Sequence, residues 1–216
     1  MRYGKIVIGT VAATMGLLAS CSSTGAQSLG APSTAHESKT QATPSSSESA
    51  VSAESPVAPE SNPPGDIPDN TVFVPYRSST GGLTISVPEA WARTTIKGSF
   101  SFTDKLNTVA VAWEPVAKGP TVSSARATEV PQLRRTTRAF QLQGVSTASL
   151  RAGPAVFLRY QINSDPNRVT GKQYRMDVQR YDLFHNGNEV IVTLTSPVGA
   201  DNVDPWRIIT QSVKWS

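Results

Sequence analysis

The sequence contains a single cysteine and only two histidines among its 216 residues. One cysteine cannot form an internal disulfide, and cysteine- or histidine-rich metal sites need more such ligands than this chain offers. The globular part has one histidine, His185, beside the turn residues Asn186 and Gly187, and it lacks a nucleophile elbow, a phosphate-binding glycine loop and a His-Glu-x-x-His motif. These absences predict a protein that is not an enzyme, with no catalytic residue, no metal ion and no cofactor.

Long hydrophobic runs are also missing, except near the N-terminus. There, two basic residues precede an apolar run of thirteen residues from Ile6 to Leu18, which is too short to span a bilayer about 30 Å thick. The run ends in Leu18-Ala19-Ser20-Cys21, which resembles the lipobox of bacterial lipoproteins. We therefore predict a lipoprotein signal peptide over 1–20 and a lipid anchor on Cys21 that holds the protein at the extracytoplasmic face of the cell membrane. The other interpretation is an ordinary signal peptide with an incidental cysteine.

Aromatic residues are absent from 22–70, where we count twelve Ser, four Thr, seven Pro and seven Ala. Such a composition buries too little apolar surface to offset its chain entropy, so we predict a disordered linker over 21–70 and one globular domain over 71–216. The net charge is −5 over 22–70 and +7 over 71–216. The basic domain is suited to anionic lipid headgroups or acidic wall polymers, unless its charge serves only solubility.

Alternation of apolar and polar residues recurs along 71–216 and predicts strands that are buried on one face. It is clear over 83–87, 109–113 and 156–162. A long antiparallel hairpin is predicted over 172–195, turning at Asn186-Gly187. Within it the apolar residues shift from even to odd positions after Val178, so we expect a β-bulge near Gln179 and Arg180.

Two segments have helical spacing. Ser123 or Ser124 can cap a helix that runs to about Gln141, with Pro131 either kinking it or starting a second helix. The last helix is expected to have Asp204 as its N-cap and Pro205 at its first position. It presents Trp206, Ile209 and Val213 inward.

Several short motifs resemble the PsbP-like domain, and within it the actinobacterial lipoproteins of the LpqN/LpqT type. They span roughly 75–216 and are the strand and Pro-x-x-Trp of 82–91, the Phe/Asp segment 100–104, the Pro131 helix ending at Phe140, Gly153-Pro154-Ala155, and the closing Gln211-Ser212-Val213-Lys214-Trp215. The resemblance implies an α+β fold in which helices cover an antiparallel sheet. It also implies non-enzymatic binding or assembly work, since relatives act on photosystem II or on a small GTPase of nuclear import.

Three arginines are candidate partner-docking residues, because Arg134 and Arg138 lie one helical turn apart and Arg126 lies two turns before Arg134. The same spacing also fits a solvated polar face. Among the aspartates 165, 177, 182, 201 and 204, Asp165 falls at a turn, Asp204 at a helix cap, and Asp177 and Asp182 at polar strand positions, so structural roles account for them. The four tryptophans line either a ligand cavity or the core.

The functional hypothesis is a membrane-anchored binding or assembly module for an envelope protein. The alternative is a carrier or sensor of a lipid or cell-wall precursor, which requires a roomy apolar cavity between sheet and helices. A hydrolase would need His185 and Asp165 to converge in a cleft. Nucleic acid is not expected as a partner, because export takes the protein away from it.

Overall fold

A computed structural model describes residues 53–79 and 81–215. The predicted signal peptide, Cys21 and the linker up to residue 52 lie outside the described residues. The strands are β1 (Phe73–Arg77), β2 (Leu83–Pro88), β3 (Ala92–Ile96), β4 (Ser99–Asp104), β5 (Asn107–Pro115), β6 (Gln141–Leu150), β7 (Gly153–Asn163), β8 (Arg175–His185), β9 (Asn188–Pro197) and β10 (Lys214–Trp215). The helices are α1 (Val122–Ser124), a π-helical turn (Ala125–Glu129), α2 (Val130–Thr136) and α3 (Val203–Ser212).

The strands form two antiparallel sheets, one of seven strands in the order β3-β4-β5-β9-β8-β7-β6 and one of three in the order β1-β2-β10. This α+β architecture, an antiparallel sheet covered by helices, is the predicted fold class. Among the described residues, no helix is long and apolar enough to cross a membrane.

Different layers cover the two faces of the seven-stranded sheet. The three-stranded sheet and α3 pack on one face, where Val111, Val192 and Trp206 belong to the main hydrophobic core. We call this face of the seven-stranded sheet the small-sheet face. The helical segment 122–136 packs on the other, the helix face, where Val178 belongs to a second apolar cluster.

The helices cover only part of the helix face. Along β4, β5 and β9, most residues on the small-sheet face are buried, whereas nine residues on the helix face stay partly exposed. Those nine partly exposed residues, which we call the open half-face, are Ser99, Ser101, Thr103, Thr108, Ala110, Ala112, Ile191, Thr193 and Thr195. The buried side of the sheet therefore changes between β9 and β7, and β8 lies at the change.

This change of covering explains the phase slip in β8, and the predicted β-bulge at Gln179 and Arg180 is wrong. The register of β8 is continuous from Met176 to His185 against β9. Val178 is buried by the helical segment, whereas Leu183 is buried by the other layer. A register shift does occur elsewhere, in β6 between Leu142 and Gly144. The hairpin turn at Asn186-Gly187 is confirmed, with positive φ at both residues as a type I′ turn requires.

The first helix differs from its prediction at both ends. Its N-cap is Thr121, whose side chain accepts the Ser124 amide in a capping box, and not Ser123 or Ser124. Pro131 is the second residue of α2, directly after the π-helical turn, where its missing N–H is tolerated because the first turn of a helix has no carbonyl to bind it. The helix ends at Thr136, short of Phe140 and Gln141, and Ala139 at φ 45° turns the chain into β6.

The last helix also starts earlier than predicted. Asn202 occupies the N-cap position and Asp204 lies inside the first turn, so the predicted Asp204 cap is wrong. Asn202 makes no side-chain cap because its amide is bonded to residues 65 and 67 instead. The predicted inward residues Trp206, Ile209 and Val213 are buried.

Residues 53–70, predicted as the end of a disordered linker, lie against the domain and are called the strap. Asn163 donates to Glu54 Oε1 at 2.7 Å and accepts the Val57 amide at 3.0 Å. Asn202 accepts the Ile67 amide at 2.8 Å, and Ile67 is buried in the main core. The composition of 53–70 favours disorder, but composition cannot reveal that buried asparagines of the domain bind the backbone of the strap.

Candidate functional site

The least expected part of the domain is a group of charged residues on the helix face, beside the open half-face. Arg180 and Asp182 point from β8, with Thr193 and Ile191 as their cross-strand neighbours on β9. Three glutamates from other elements complete the group. We call Glu114, Glu129, Asp182 and Glu189 the acidic cluster, with Arg180 at its centre.

The cluster is assembled by strand register and by one helical turn. Glu114, near the end of β5, lies directly opposite Glu189, near the start of β9, and like charges in such a pair repel each other. Glu129 approaches from the last position of the π-helical turn. Four elements thus bring four carboxylates toward one guanidinium.

The distances place Arg180 against three of the carboxylates. Its Nε lies 2.6 Å from Asp182 Oδ1, and its Nη2 lies 3.4 Å from Glu129 Oε2 and 3.8 Å from Glu189 Oε1. Asp182 is fully buried, and Arg180 and Glu189 are each only 9% exposed. The ion pairs are therefore largely withdrawn from water.

Two buried oxygens of the cluster have no hydrogen-bond partner within the described residues: Asp182 Oδ2 and Glu189 Oε1. Burying a carboxylate oxygen without a partner costs free energy, because the hydrogen bonds that water made to it are not replaced. One guanidinium cannot balance four carboxylates, so the cluster holds an excess of negative charge.

The pKa values follow from this arrangement. Burial, and then the neighbouring Asp182, raise the pKa of Glu189 to about 7. Burial also raises the pKa of Asp182 despite the opposing effect of Arg180, and it raises that of Glu114. Burial alone would lower the pKa of Arg180, but the attraction of Asp182 outweighs it and Arg180 stays charged. Near neutral pH, Glu189 exchanges a proton.

The chemistry open to the cluster is the binding of a positive charge, either a proton or a cationic group. Among the described residues, no set of three or more histidine, cysteine, aspartate or glutamate side chains is arranged to hold a metal ion. His185 stacks on Trp215 with ring centroids 4.0 Å apart and is hydrogen-bonded to Asn186. It does not contact the cluster through any of these interactions.

The predicted docking arginines do not form one stripe. Arg126 donates to the Val145 carbonyl at 2.9 Å, and Arg134 lies over the Phe140 ring at 5.7 Å. Arg138 follows the end of α2 and pairs with Glu54 at 2.7 Å and with Asp165 at 3.1 Å. Their docking role stays a prediction, as does lipidation of Cys21.

Among the aspartates, the burial of Asp182 contradicts its prediction. The sequence pattern predicts a polar strand position for it, yet it is fully buried, because the helical segment covers this side of β8. Asp165, Asp177 and Asp204 form ion pairs with arginines. Trp206 is buried in the main core, against which the other three tryptophans pack.

Sequence reasoning missed the cluster because its members come from positions 114, 129, 182 and 189. One signal was present: Arg180 and Asp182 share strand parity with Val178, and alternation alone would have placed all three on one face. Because Tyr181 and Leu183 are apolar and have the other parity, the pattern predicts a bulge in place of a change in the covered face.

No family model and no curated protein matches the sequence. Similar solved structures include cyanobacterial PsbP from Synechocystis, with a TM-score of 0.49 and 11% identity over 72% of this chain and 100% of that one. LpqN of Mycobacterium tuberculosis, involved in cell envelope biogenesis, has a TM-score of 0.42 and 14% identity over 68% of this chain and 91% of that one. The Ran-binding protein Mog1p of Saccharomyces cerevisiae has a TM-score of 0.41 and 8% identity over 64% and 84%. At this level of similarity the function has to be argued from the chain's own residues.

Proposed function

We propose that the protein is a lipoprotein anchored through Cys21 at the extracytoplasmic face of the cell membrane, and that its domain binds an envelope protein without catalysing a reaction. The anchor is supported by the apolar run and lipobox-like motif of the sequence. The binding role is supported by one observation above all: a sheet surface that the described residues leave partly exposed and that borders an unbalanced buried charge.

The open half-face has the properties of a contact surface. Its nine residues are small or neutral, so a partner could approach the sheet without having to remove water from charged side chains. Ile96, on the adjacent edge strand β3, is 56% exposed, and Phe184, on β8 next to Glu189, is 47% exposed. Apolar residues around a neutral surface, with charge at one border, fit protein docking better than catalysis.

No observation favours the alternative, a carrier of lipid or wall precursor. The space between the layers is filled by side chains such as Leu83, Val111 and Ile209, which are at most 1% exposed. Two hollows among the described residues are partly open, with volumes of about 120 and 270 Å³. Arg159, Asp177 and Asn202 are among the residues that line the smaller hollow, which does not suit an acyl chain.

The anchor is tested by replacing Cys21→Ala and fractionating the cells. The account expects the wild-type chain in the membrane fraction and the variant released from it, since one lipid-bearing residue holds the protein. Equal membrane retention of the two chains would contradict the anchor.

The binding surface is tested by photo-crosslinking in living cells. A crosslinking residue is placed at Ser101 on the open half-face, or as a matched control at Ser146, which is exposed on β6 and faces the opposite side. We expect one discrete adduct with an envelope protein from position 101 and none from 146. No adduct from either position, or the same adducts from both, would count against this surface.

A further inference from the structure

We propose that the acidic cluster receives one cationic side chain, a lysine or an arginine, from the protein that docks on the open half-face. The inference rests on the proposed function and adds the partner's chemistry to it. It depends on the geometry of the cluster, the two buried oxygens without partners and the position of the cluster beside the docking surface.

The charge balance of the cluster requires a further positive group. Asp182 is fully buried and Glu189 is nine-tenths buried, and each has one oxygen without a hydrogen-bond partner in the described part of the chain. Arg180 is already engaged by three carboxylates. A second cation would balance the excess negative charge.

The cluster can be approached from the open half-face. The side chain of Glu129 is 27% exposed and that of Glu189 is 12% exposed, so two carboxylates of the cluster reach the surface. Ile191, a residue of the open half-face, is the cross-strand neighbour of Asp182. A partner lying on this surface could therefore extend one long side chain over Ile191 toward Glu129 and Glu189.

A cationic side chain fits better than the other ligand classes. An anion would be repelled by the net negative charge. The carboxylates are not arranged to hold a metal ion. A guanidinium or ammonium group offers several N–H donors, and a guanidinium presents them in a planar fork that matches carboxylate oxygens.

Binding should compete with a proton. The groups that face Glu189 are Asp182 and Arg180 on β8, Glu129 on the π-helical turn and Glu114 on β5. Because the pKa of Glu189 is about 7, its protonated form predominates below that pH and removes one charge from the site. The affinity for a cation should therefore rise as the pH rises through about 7 and then level off.

The test uses ethylguanidinium as the probe and ethylurea, which has nearly the same shape but no charge, as its control. Both are titrated into the full chain in non-ionic detergent micelles while backbone amide signals are followed by NMR. We expect saturable shifts at residues 180, 182 and 189 with ethylguanidinium only, with stronger binding at higher pH. Shifts of equal size with ethylurea, or none at these residues, would overturn the inference.

Variants separate the site from general charge effects. Glu189→Gln and Glu129→Gln each preserve shape and should weaken ethylguanidinium binding by about tenfold. Glu89→Gln changes an exposed carboxylate in the turn after β2 and should leave binding unchanged. Equal weakening by all three variants would show a nonspecific charge effect and overturn the inference.

The same variants separate this inference from the proposed function. Glu189→Gln is combined with the crosslinker at Ser101. Loss of most of the adduct supports the cationic contact, whereas an undiminished adduct overturns it and leaves the docking surface in place. No adduct in the wild-type chain contradicts the docking surface itself, and an adduct between two copies of this chain contradicts a separate partner protein.

Discussion

Two groups of buried polar residues lie in this domain and are built in opposite ways. At the strap, Arg175 donates to the Ala139 carbonyl, to Asn163 and to Gln141, and Asn163 binds residues 54, 55 and 57. In the acidic cluster, Asp182 and Glu189 each have one oxygen without a hydrogen-bond partner among the residues that the structure describes. Satisfied networks stabilise a fold, whereas an unsatisfied group has to be explained. The difference indicates a structural role for the strap network and is the reason for the binding role that we propose for the cluster.

The carboxyl pKa values in the two groups are also shifted in opposite directions. At the strap, hydrogen bonds from Asn163, Arg138 and Gln173 outweigh the effect of burial and lower the pKa of Glu54. In the cluster, burial raises the pKa of Glu189 to about 7. Lowering the pH should therefore weaken the strap network, because Glu54 loses its charge. It should reduce the repulsion within the cluster, because Glu189 becomes neutral.

The largest expected effect is that of Asp182→Ala, which removes the closest counter-ion of a buried arginine. It should reduce the free energy of unfolding by about 3–5 kcal/mol. Asp177→Ala is the matched control on the same strand, because the partner of Asp177, Arg159, is 54% exposed. It should cost about 1 kcal/mol or less. Urea unfolding measures both, and equal losses would contradict the burial of the Arg180–Asp182 pair.

The next effect is that of Asn163→Ala, which leaves the Val57 amide and part of Arg175 without partners. We expect a loss of about 2–3 kcal/mol and faster hydrogen exchange over residues 54–57, with the β8–β9 hairpin still protected. Unchanged exchange in the strap would show that Asn163 does not hold it.

Glu189→Gln should have a smaller effect of opposite sign, because it removes an unfavourable buried charge. In the wild-type chain the folded-state pKa is raised, so the folded state binds the proton more tightly and stability falls as pH rises from 4.5 to about 7. The variant should lose this pH dependence and gain about 1–2 kcal/mol at about pH 8. Destabilisation of the variant at that pH would mean that ionised Glu189 stabilises the fold.

The smallest effect is expected for Glu54→Gln, which removes an ion pair of the strap with Arg138. Because the pKa of Glu54 is lowered, its contribution is present above the ordinary value of 4.5 and is lost as the pH falls through the lower folded-state pKa. The variant should lose about 0.5–1 kcal/mol near neutral pH, and protease cleavage within 53–70 should become faster. In the wild-type chain, cleavage that does not increase in acid would contradict this role.

Sequence patterns predicted the strands correctly where a single layer covers one face of the sheet. Alternation found β2, β5, β7 and β9, since each apolar phase there reports a single covered face. It failed in β8, because the covered face changes along that strand and two charged residues occupy buried positions. The strap was missed because its partners, Asn163 and Asn202, are distant in sequence. The acidic cluster was missed for the same reason.

The most direct test of the central claim is the titration of Glu189 itself. Carbon-13 NMR of the side-chain carboxyl in the full chain reports its ionisation, and Glu89 serves as an exposed reference. The account predicts a midpoint near 7 for Glu189, falling when ethylguanidinium is added, because a bound cation favours the ionised form. A midpoint near 4.5 that the probe does not move would contradict a buried, unbalanced acidic cluster.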